Sequence, residues 1–477
     1  MASCAIGAFL IVELLKPHVC VIGAGPAGLA AATTAAALGA SVMLVEKGRM
    51  GGTSLHTGAV PMQVLIAAAH RAHAASQAHE RGVTATRIEF GKVREQVRGV
   101  IAAIAPNESK ERFTGFGVRV IEGAGRFKNR RCLAVGETIE IRARRYIVAT
   151  GSLPALPDIP GLAEAPVLTN ETIFDLERCP EHLIVIGATA IGLALAQSFH
   201  RFGAAVTILD PEEPLLYEDA ECARIVLDAL AREGIVLRAG VAITRVEHAD
   251  DRVKVVVGDE TIAGSHLLVA SGRRPNVGDL GLDRARVRCG PHGIVVNAQL
   301  RTRNRRVYAA GDVTDGAQFT HLARHQGEVA ARNALGRRSA RADAIVRTVF
   351  TDPELAHVGL TDEAARRRHR SIRVLRWPYY DNERAQVEDE ARGHIKVMTD
   401  GQGRILGATM VGARASELIA TWSLAIGRGL DINAIAGMIV PYPTLGEIGK
   451  RAAMTYFTFG APQNWLQRLM GWLRRGA

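Results

Sequence analysis

The sequence predicts an α/β protein with two dinucleotide-binding units of the Rossmann type. Two observations lead to this prediction. A glycine-rich turn between an apolar strand and a helix occurs twice, and in each copy an acidic residue follows 23 residues after the first glycine. The chain has 477 residues, which at roughly 100–200 residues per domain allows about three domains.

The first unit begins with the apolar strand 19–22 and enters the turn G-A-G-P-A-G at residues 23–28. Gly23 allows the tight turn, Gly25 lets the backbone approach a pyrophosphate, and Gly28 lets the helix pack closely on the strand. The N-terminus of the following helix attracts phosphate. Glu46 ends the second strand, where a carboxylate can accept hydrogen bonds from a ribose diol. The alternative is a glycine-rich turn in an ordinary βαβ unit.

The second unit repeats this plan with the strand 183–186 and the turn G-A-T-A-I-G at residues 187–192. Gly187 and Gly192 keep the first and third glycines, but Thr189 replaces the middle one. Its side chain either crowds a pyrophosphate or donates its hydroxyl to phosphate. The alternative is that this unit serves only as a scaffold.

Asp210 ends the second strand of this unit and is followed by Pro211, Glu212 and Glu213. A cluster of carboxylates repels a 2′-phosphate and suits a free 2′-hydroxyl. The sequence therefore predicts NADH rather than NADPH as the exchangeable cofactor.

The net charge is +11, from 59 Lys and Arg against 48 Asp and Glu. The basic residues are scattered, and no nucleic-acid-binding motif stands out, so no nucleic-acid partner is expected. The six cysteines lie far apart in sequence and indicate isolated thiols in a reducing compartment, with no metal site. No segment reaches the ~18 apolar residues of a membrane span. A cytoplasmic protein is expected.

Further motifs accompany the two glycine turns and resemble those of the pyridine nucleotide-disulfide oxidoreductases, the family of dihydrolipoamide dehydrogenase, glutathione reductase and mercuric reductase. These motifs are G-G-T at 51–53, A-T-G-S at 149–152, A-S-G-R-R-P-N at 270–276 and A-A-G-D at 309–312. The resemblance continues from V-F-T-D-P-E at 349–354 to Y-P-T at 442–444 and covers about residues 18 to 455. The chain resembles the mercuric reductase branch most, which also has a hydroxyl residue at the position of Thr189 and a tyrosine at that of Tyr442.

The resemblance implies a homodimer with three kinds of domain. The FAD-binding domain would comprise residues 18–157 and 273–344, the NAD(P)-binding domain 158–272, and a C-terminal α+β dimerisation domain 345–460. Residues 1–17 would form an N-terminal extension and residues 461–477 an amphipathic basic tail.

The resemblance also implies FAD in the first unit and a nicotinamide dinucleotide in the second. The residues implied for FAD are Gly23, Gly25, Gly28, Glu46, Gly52, Thr53, Gly125, Thr150, Gly151, Asp312 and Thr320, with Asp312 on the ribityl chain. The residues implied for NAD are Gly187, Thr189, Gly192, Asp210, Gly272 and Arg273.

Two substitutions change the chemistry that the resemblance implies. Ser54 and Ala59 stand where the family has its redox-active cysteines, and a hydroxyl and a methyl group cannot form a disulfide. Gln63 and Ala194 stand where relatives have a Lys–Glu ion pair near the flavin. Both partners are absent together, so neither leaves an uncompensated buried charge.

We therefore expect an FAD-dependent oxidoreductase that takes hydride from NADH and passes electrons to a non-disulfide acceptor such as a quinone. One alternative is a catalytically silent flavoprotein that acts as a binding or regulatory partner. Another is a dithiol- or disulfide-linked enzyme, similar to dihydrolipoamide dehydrogenase or mercuric reductase, that works by an atypical route.

Tyr442 and Glu447 are the candidate catalytic residues contributed by the second subunit. Tyr442 would donate a hydrogen bond to a carbonyl substrate, and Glu447 would orient it. The alternative is a structural role for both at the dimer interface.

The C-terminal tail places Trp465, Leu469, Trp472 and Leu473 on one face of a helix, with basic residues largely on the other. This composition is typical of an interfacial anchor and predicts weak peripheral contact with the inner face of a membrane. The alternative is that the tail packs on its own subunit.

Overall fold

The computed structural model describes residues 12–80, 89–249, 251–339 and 344–458. The described residues of 1–211 and 237–341 form one compact unit, and those of 212–236 and 342–477 form a second. This division is coarser than the predicted domain boundaries, which stay a prediction. Residues 1–11 of the predicted N-terminal extension and the predicted tail, 461–477, lie outside the described residues.

The strands and helices follow one another in four stretches of the chain. The first stretch contains β1 (Glu13–Leu15), β2 (Val19–Ile22), α1 (Pro26–Ala37), β3 (Val42–Glu46), α2 (Gly52–His56), α3 (Ala59–Glu80), α4 (Phe90–Ile104), α5 (Lys110–Gly115), β4 (Val118–Glu122), β5 (Gly125–Asn129), β6 (Cys132–Val135), β7 (Ile139–Ile141), β8 (Arg145–Val148) and β9 (Ser152–Pro154). The second contains β10 (Val167–Thr169), β11 (His182–Ile186), α6 (Ala190–Arg201), β12 (Ala205–Asp210), α7 (Ala220–Glu233), β13 (Val236–Ala239), β14 (Ile243–Ala249), β15 (Arg252–Val257), β16 (Glu260–Gly264) and β17 (His266–Val269). The third contains β18 (Arg273–Pro275), β19 (Cys289–Gly290), β20 (Gly293–Ile294), β21 (Val307–Ala309) and α8 (Thr320–Ala334). The fourth contains β22 (Val346–Val349), β23 (Glu354–Gly359), α9 (Asp362–Arg368), β24 (Ile372–Pro378), α10 (Glu383–Glu388), β25 (His394–Asp400), β26 (Ile405–Gly412), α11 (Ala415–Gly427), α12 (Ile432–Ala436) and α13 (Glu447–Thr458).

The first glycine turn lies at the edge of a parallel sheet with the strand order β21-β8-β2-β3-β4. All four residues of β2 are buried, because a parallel sheet is covered on both faces. Helices α1 and α8 pack together over one face. Gly327 of α8 allows this close approach, since a Cβ there would lie 2.1 Å from the carbonyl oxygen of Ala27.

The second glycine turn follows the central strand of another parallel sheet, with the order β10-β17-β11-β12-β13. The apolar residues of β11 and β17 share a core with the antiparallel strands β14, β15 and β16. Both glycine turns therefore begin at the carboxyl end of a buried parallel strand, which is where open α/β sheets bind ligands.

The second compact unit is built on an antiparallel sheet with the order β22-β23-β26-β25-β24. Ile395 and Val397 of β25 face one core, together with Trp422 of α11. Lys396 and Met398 alternate to the other face, where α7 and α9 pack. The predicted α/β class with a C-terminal α+β domain is confirmed.

Membrane-spanning helices are not found among the described residues, where every helix is too short or too polar to cross a bilayer.

Candidate cofactor sites

The first glycine turn is shaped by close backbone approach. Gly23 has a φ of +103°, and a Cβ there would lie 2.4 Å from the carbonyl oxygen of Ala149. A Cβ on Gly28 would lie 1.8 Å from the carbonyl oxygen of Gly23. Gly25 differs, because a Cβ there would meet nothing within 4 Å. The turn is therefore closed at its first and third glycines and open at the middle one.

Helix α1 starts at this opening, with Gly25 as its N-cap residue and Pro26 as its first residue. Gly25 has no side chain with which to cap the helix, so the first-turn N–H groups stay available to a ligand. A helix N-terminus of this kind suits a phosphate group. The geometry fits the pyrophosphate of a dinucleotide.

Glu46 closes the same turn from the end of β3. Its carboxylate accepts hydrogen bonds from the backbone N–H groups of Ala24, at 2.5 Å, and Gly48, at 2.7 Å. A carboxylate has about four acceptor positions, so two remain for the hydroxyl groups of a ribose. These two backbone bonds fix the side chain at the edge of the cavity.

A cavity of about 430 Å³ lies against this turn. All of the residues predicted for FAD line it except Gly28, which packs under the turn. The lining residues among them are Gly23, Gly25, Glu46, Gly52, Thr53, Gly125, Thr150, Gly151, Asp312 and Thr320. The structure thus brings together groups that are more than 290 positions apart in the sequence, from Gly23 to Thr320.

Asp312 lies on the cavity wall at the end of a hydrogen-bonded chain of side chains. The hydroxyl of Ser152 donates to Asp312 Oδ2 at 2.8 Å, and Arg273 Nε donates to that hydroxyl at 2.7 Å. Burial raises the pKa of Asp312, and the Ser152 hydrogen bond and the Arg273 charge oppose this rise. The carboxyl end of β21 is held in addition by Gln326, whose Oε1 accepts from the N–H of Gly311 at 2.8 Å.

The segment that follows Gly52 forms another part of the wall. Ser54 Oγ lies 2.9 Å from Thr320 Oγ1, so the two hydroxyl groups are hydrogen-bonded. Ala59 is the first residue of α3, and the cavity lining does not include it. No cysteine of the described residues lines this cavity, and the five described cysteines are free thiols.

His56 lies close to Ser54 on the same wall. Its Nε2 is 2.8 Å from the carbonyl oxygen of Met50. The pKa of His56 lies below its ordinary value of 6.5, first because burial disfavours the charged form. The imidazole is therefore neutral near pH 7.

The second glycine turn has the same backbone geometry as the first. A Cβ on Gly192 would lie 2.0 Å from the carbonyl oxygen of Gly187, and one on Gly187 would lie 2.6 Å from that of Ala270. Asp210 Oδ2 accepts from the N–H of Ala188 at 2.5 Å, as Glu46 does from Ala24. The repeat predicted from the spacing extends to the atoms of the turn.

Thr189 is where the two turns differ. Thr189 is the N-cap residue of α6. Its hydroxyl accepts a hydrogen bond from the N–H of Gly192 at 3.2 Å and donates one to the carbonyl oxygen of Ala270 at 2.8 Å. The hydroxyl thus occupies a helix N–H group that the first turn leaves open. Gly272, which is also predicted for the nicotinamide site, lies two residues after Ala270 and has a φ of +130°.

Arg273, predicted for the nicotinamide site, directs its guanidinium to the wall of the first cavity. It donates to Ser152 Oγ, to the Ser152 carbonyl oxygen at 2.8 Å and to Asn170 Oδ1 at 3.0 Å, and Nη2 lies 3.7 Å from Glu171 Oε1. Sequence reasoning missed Asn170, Glu171 and Gln326, which belong to none of the motifs. Ser152 lay inside the A-T-G-S motif, whose polar last residue was the signal available.

Tyr442 and Glu447 lie in the second compact unit. Tyr442 is 69% exposed, and Glu447 is the first residue of α13. Their role toward a substrate stays a prediction.

Comparison with known proteins agrees with this geometry. Residues 17–327 match the pyridine nucleotide-disulphide oxidoreductase family, and residues 345–453 match the dimerisation domain of that family. The second match supports the predicted homodimer.

Several characterised proteins are similar over nearly the whole chain. Mercuric reductase of Shigella flexneri is 36% identical over 457 residues, covering 92% of this chain and 80% of that protein. Mercuric reductase of Bacillus cereus is 33% identical over 447 residues, covering 91% and 71%. Dihydrolipoyl dehydrogenase of Geobacillus stearothermophilus is 33% identical over 454 residues, covering 92% and 96%.

Two solved structures are similar in fold. LpdA of Mycobacterium tuberculosis has a TM-score of 0.86 and the HOCl-induced flavoprotein disulfide reductase RclA of Escherichia coli has one of 0.83; each is 27% identical, with 92% of this chain and 99% of that chain covered. The family depends on FAD and uses NAD(P)H as its electron donor. With both of its domain models matched along the sequence, the chain belongs to the pyridine nucleotide-disulphide oxidoreductase family.

Proposed function

We propose that this protein is an FAD-dependent oxidoreductase that takes electrons from NADH and delivers them to a non-disulfide acceptor such as a quinone. The proposal depends on the part of the cavity wall formed by Ser54. This residue occupies a position where the family resemblance implies a cysteine, and its hydroxyl is hydrogen-bonded to that of Thr320. None of the described cysteines lines the cavity. Electrons that arrive in this cavity have no thiol pair to which they can pass.

The residues that would hold FAD fit the group. The open N-terminus of α1 would bind the pyrophosphate, Glu46 a ribose, and Asp312 the ribityl hydroxyl groups. When bound, FAD accepts a hydride from a nicotinamide and gives its electrons to an acceptor. The chain itself binds and orients the cofactor and keeps a neutral imidazole, His56, on the same wall.

The preference for NADH rests on the end of β12. Asp210 is held there by the N–H of Ala188, and Glu212 and Glu213 follow in sequence. Three carboxylates disfavour a 2′-phosphate through charge repulsion. NADH is therefore the proposed electron donor. A cytoplasmic location is a separate part of the proposal.

Anaerobic mixing with NADH tests the proposal. We expect the flavin absorbance near ~450 nm to bleach, because the proposed function includes hydride transfer from the nicotinamide to the flavin. NADPH should bleach it more slowly. Steady-state rates with quinones should exceed rates with lipoamide or glutathione disulfide. Turnover of those disulfides at rates typical of thiol-bearing relatives would contradict the proposal.

A second candidate function is a catalytically silent flavoprotein that binds a partner. The hydroxyl of Thr189 favours it, since it caps the helix N-terminus that a nicotinamide dinucleotide would use. A protein that holds FAD but bleaches with neither NADH nor NADPH would support this second function.

A further inference from the structure

A partly buried charge pair lies in the wall of the first cavity, between Glu171, which belongs to none of the family motifs, and Arg273 of the motif at 270–276. Glu171 Oε1 lies 3.7 Å from Arg273 Nη2, and the two side chains are 26% and 13% exposed. Glu171 lines the cavity. Its Oε1 is buried and has no hydrogen-bond partner among the described residues. One carboxylate oxygen therefore has an ion-pair partner but unused capacity to accept a hydrogen bond.

Arg273 is rigidly held. Arg273 donates three hydrogen bonds, two to Ser152 and one to Asn170. Asn170 Nδ2 in turn donates to the carbonyl oxygen of Thr57 at 3.4 Å, which keeps this segment beside residues 54–57. These hydrogen bonds leave the guanidinium and its positive charge little freedom to move.

The position of Glu171 relates it to the redox part of the cofactor. The α1 N-terminus and Glu46 account for the phosphates and a ribose. The lining groups that remain include Ser54, His56, Thr57 and Glu171. In the proposed function the redox centre lies beside Ser54. The hydrogen bond from Asn170 to the Thr57 carbonyl oxygen holds the neighbouring residue, Glu171, beside this part of the wall.

We propose that Glu171 and Arg273 form a charge pair that sets the reduction potential of the bound flavin; this inference rests on the proposed function. Reduction adds negative charge to the cofactor, so a nearby carboxylate disfavours it and a nearby guanidinium favours it. Such charges act more strongly when they are partly buried than they do in bulk water, and charge beside the flavin ring is a recognised way to tune it. Gln63 and Ala194 carry no charge at the positions where the resemblance implies an ion pair near the flavin, so neither of these two residues can act on the flavin through its charge.

The test compares flavin midpoint potentials of FAD-loaded variants by equilibrium titration with redox dyes. Glu171→Gln removes the negative charge and should raise the potential. Arg273→Gln removes the positive charge and should lower it. The double variant should return toward the wild-type value, because the net charge of the wall is restored. A merely structural pair would not give opposite signs that cancel.

Two controls separate charge from packing. Glu177→Gln removes a carboxylate that is 83% exposed and paired with Arg94 at 3.3 Å, so the potential should not change. Glu171→Asp keeps the charge and should keep the potential near that of the wild type. A Glu171→Asp shift as large as that of Glu171→Gln would overturn the proposal.

An unchanged potential in FAD-loaded Glu171→Gln would also overturn it. If that variant does not fold, Arg273→Gln carries the test alone, and a potential that fails to fall has the same consequence. Wild-type protein that binds no FAD, or whose flavin never bleaches with a nicotinamide, would instead reject the proposed function. The two failures are therefore distinguishable.

Discussion

At the scale of single residues, the glycines of the first turn differ in what a side chain would meet. Gly28 faces a backbone oxygen at a distance that excludes any Cβ, whereas Gly25 faces open space. Glycine is thus required at these two positions of the motif for different physical reasons. Close packing of helix on strand requires Gly28, and room for a ligand requires Gly25.

Gly28→Ala should destabilise the protein itself. Its Cβ would approach the carbonyl oxygen of Gly23 to 1.8 Å, and a backbone oxygen cannot rotate away. Overpacking of this kind costs about 1–3 kcal/mol. Urea unfolding of the FAD-free protein should show a lower midpoint.

Gly25→Ala is the matched comparison. The apo protein should lose less stability than Gly28→Ala does, because the new methyl group meets no atom within 4 Å and only the weaker capping of α1 by alanine opposes folding. The dissociation constant for FAD should rise by about tenfold, equivalent to ~1.4 kcal/mol, since the methyl group occupies the phosphate approach. Unchanged FAD affinity in this variant would show that the pyrophosphate lies elsewhere.

At the scale of elements, each helix N-terminus depends on the residue that precedes it. Thr189 caps α6 with its hydroxyl, and Gly25 leaves the N-terminus of α1 uncapped. A capping hydroxyl stabilises a helix and competes with an anion for the same N–H groups. The two units thus differ in the balance between fold stability and ligand binding.

Thr189→Gly should therefore tighten NADH binding. The loss of the cap costs only a few tenths of a kcal/mol when glycine replaces threonine, and the freed N–H of Gly192 becomes available to phosphate. Two dissociation constants should fall: that for NAD⁺, measured by titration of the oxidised protein, and that for NADH, measured from the concentration dependence of flavin bleaching. Thr361→Gly removes an equivalent cap from α9 and should leave nicotinamide binding unchanged. Weaker binding in Thr189→Gly would mean that the hydroxyl itself serves the phosphate.

Helix α7 is fixed to the C-terminal sheet by a buried ammonium group. Lys396 is 5% exposed and lies 2.8 Å from Asp219, 3.2 Å from Glu221 and 3.3 Å from Asp362. Lys396→Met leaves these carboxylates without their shared cation, and breaking a buried pair costs about 3–5 kcal/mol. Denaturant unfolding should show this loss. Lys110→Met breaks a 2.7 Å pair with Glu122 at the surface and should change little.

Acid should weaken the same cluster through Glu221. Burial raises the pKa of this carboxyl, but the hydrogen bond and charge of Arg376, the hydrogen bond of Lys396 and the charge of His394 together lower it from 4.5 to about 2. A depressed pKa contributes stability that is complete above the ordinary value and is lost as the pH falls through the folded value. The difference in melting temperature between wild type and Glu221→Gln should therefore be largest above about pH 5 and shrink toward pH 2. A difference that grows on acidification would contradict this assignment.

At the scale of the whole molecule, local spacing predicted the two cofactor turns because every residue of such a turn lies within one βαβ unit. The relation between Gly23 and Glu46 could be predicted from the sequence, because Glu46 follows Gly23 at the 23-residue spacing of the motif. The chain Arg273–Ser152–Asp312 could not, since its members are 121 and 160 positions apart and follow no periodic pattern. Tertiary contacts of this kind also explain why Arg273 was predicted for the second site although its guanidinium lies at the first cavity.

The tail, residues 461–477, is relevant to the identity of the electron acceptor. Its sequence pattern predicts weak interfacial binding, and a homodimer would carry two copies, so that the second contact forms at a high effective concentration. The full chain should cosediment with anionic liposomes more than a chain that ends at residue 460. Its rate of reduction of a lipid-soluble quinone should exceed that of the shorter chain only when liposomes are present. Trp465→Ser with Trp472→Ser keeps the basic residues and should reduce both effects, because the predicted interfacial binding depends on these tryptophans. Equal sedimentation and equal quinone rates for all three proteins would place the tail on its own subunit and direct the search for the acceptor to water-soluble molecules.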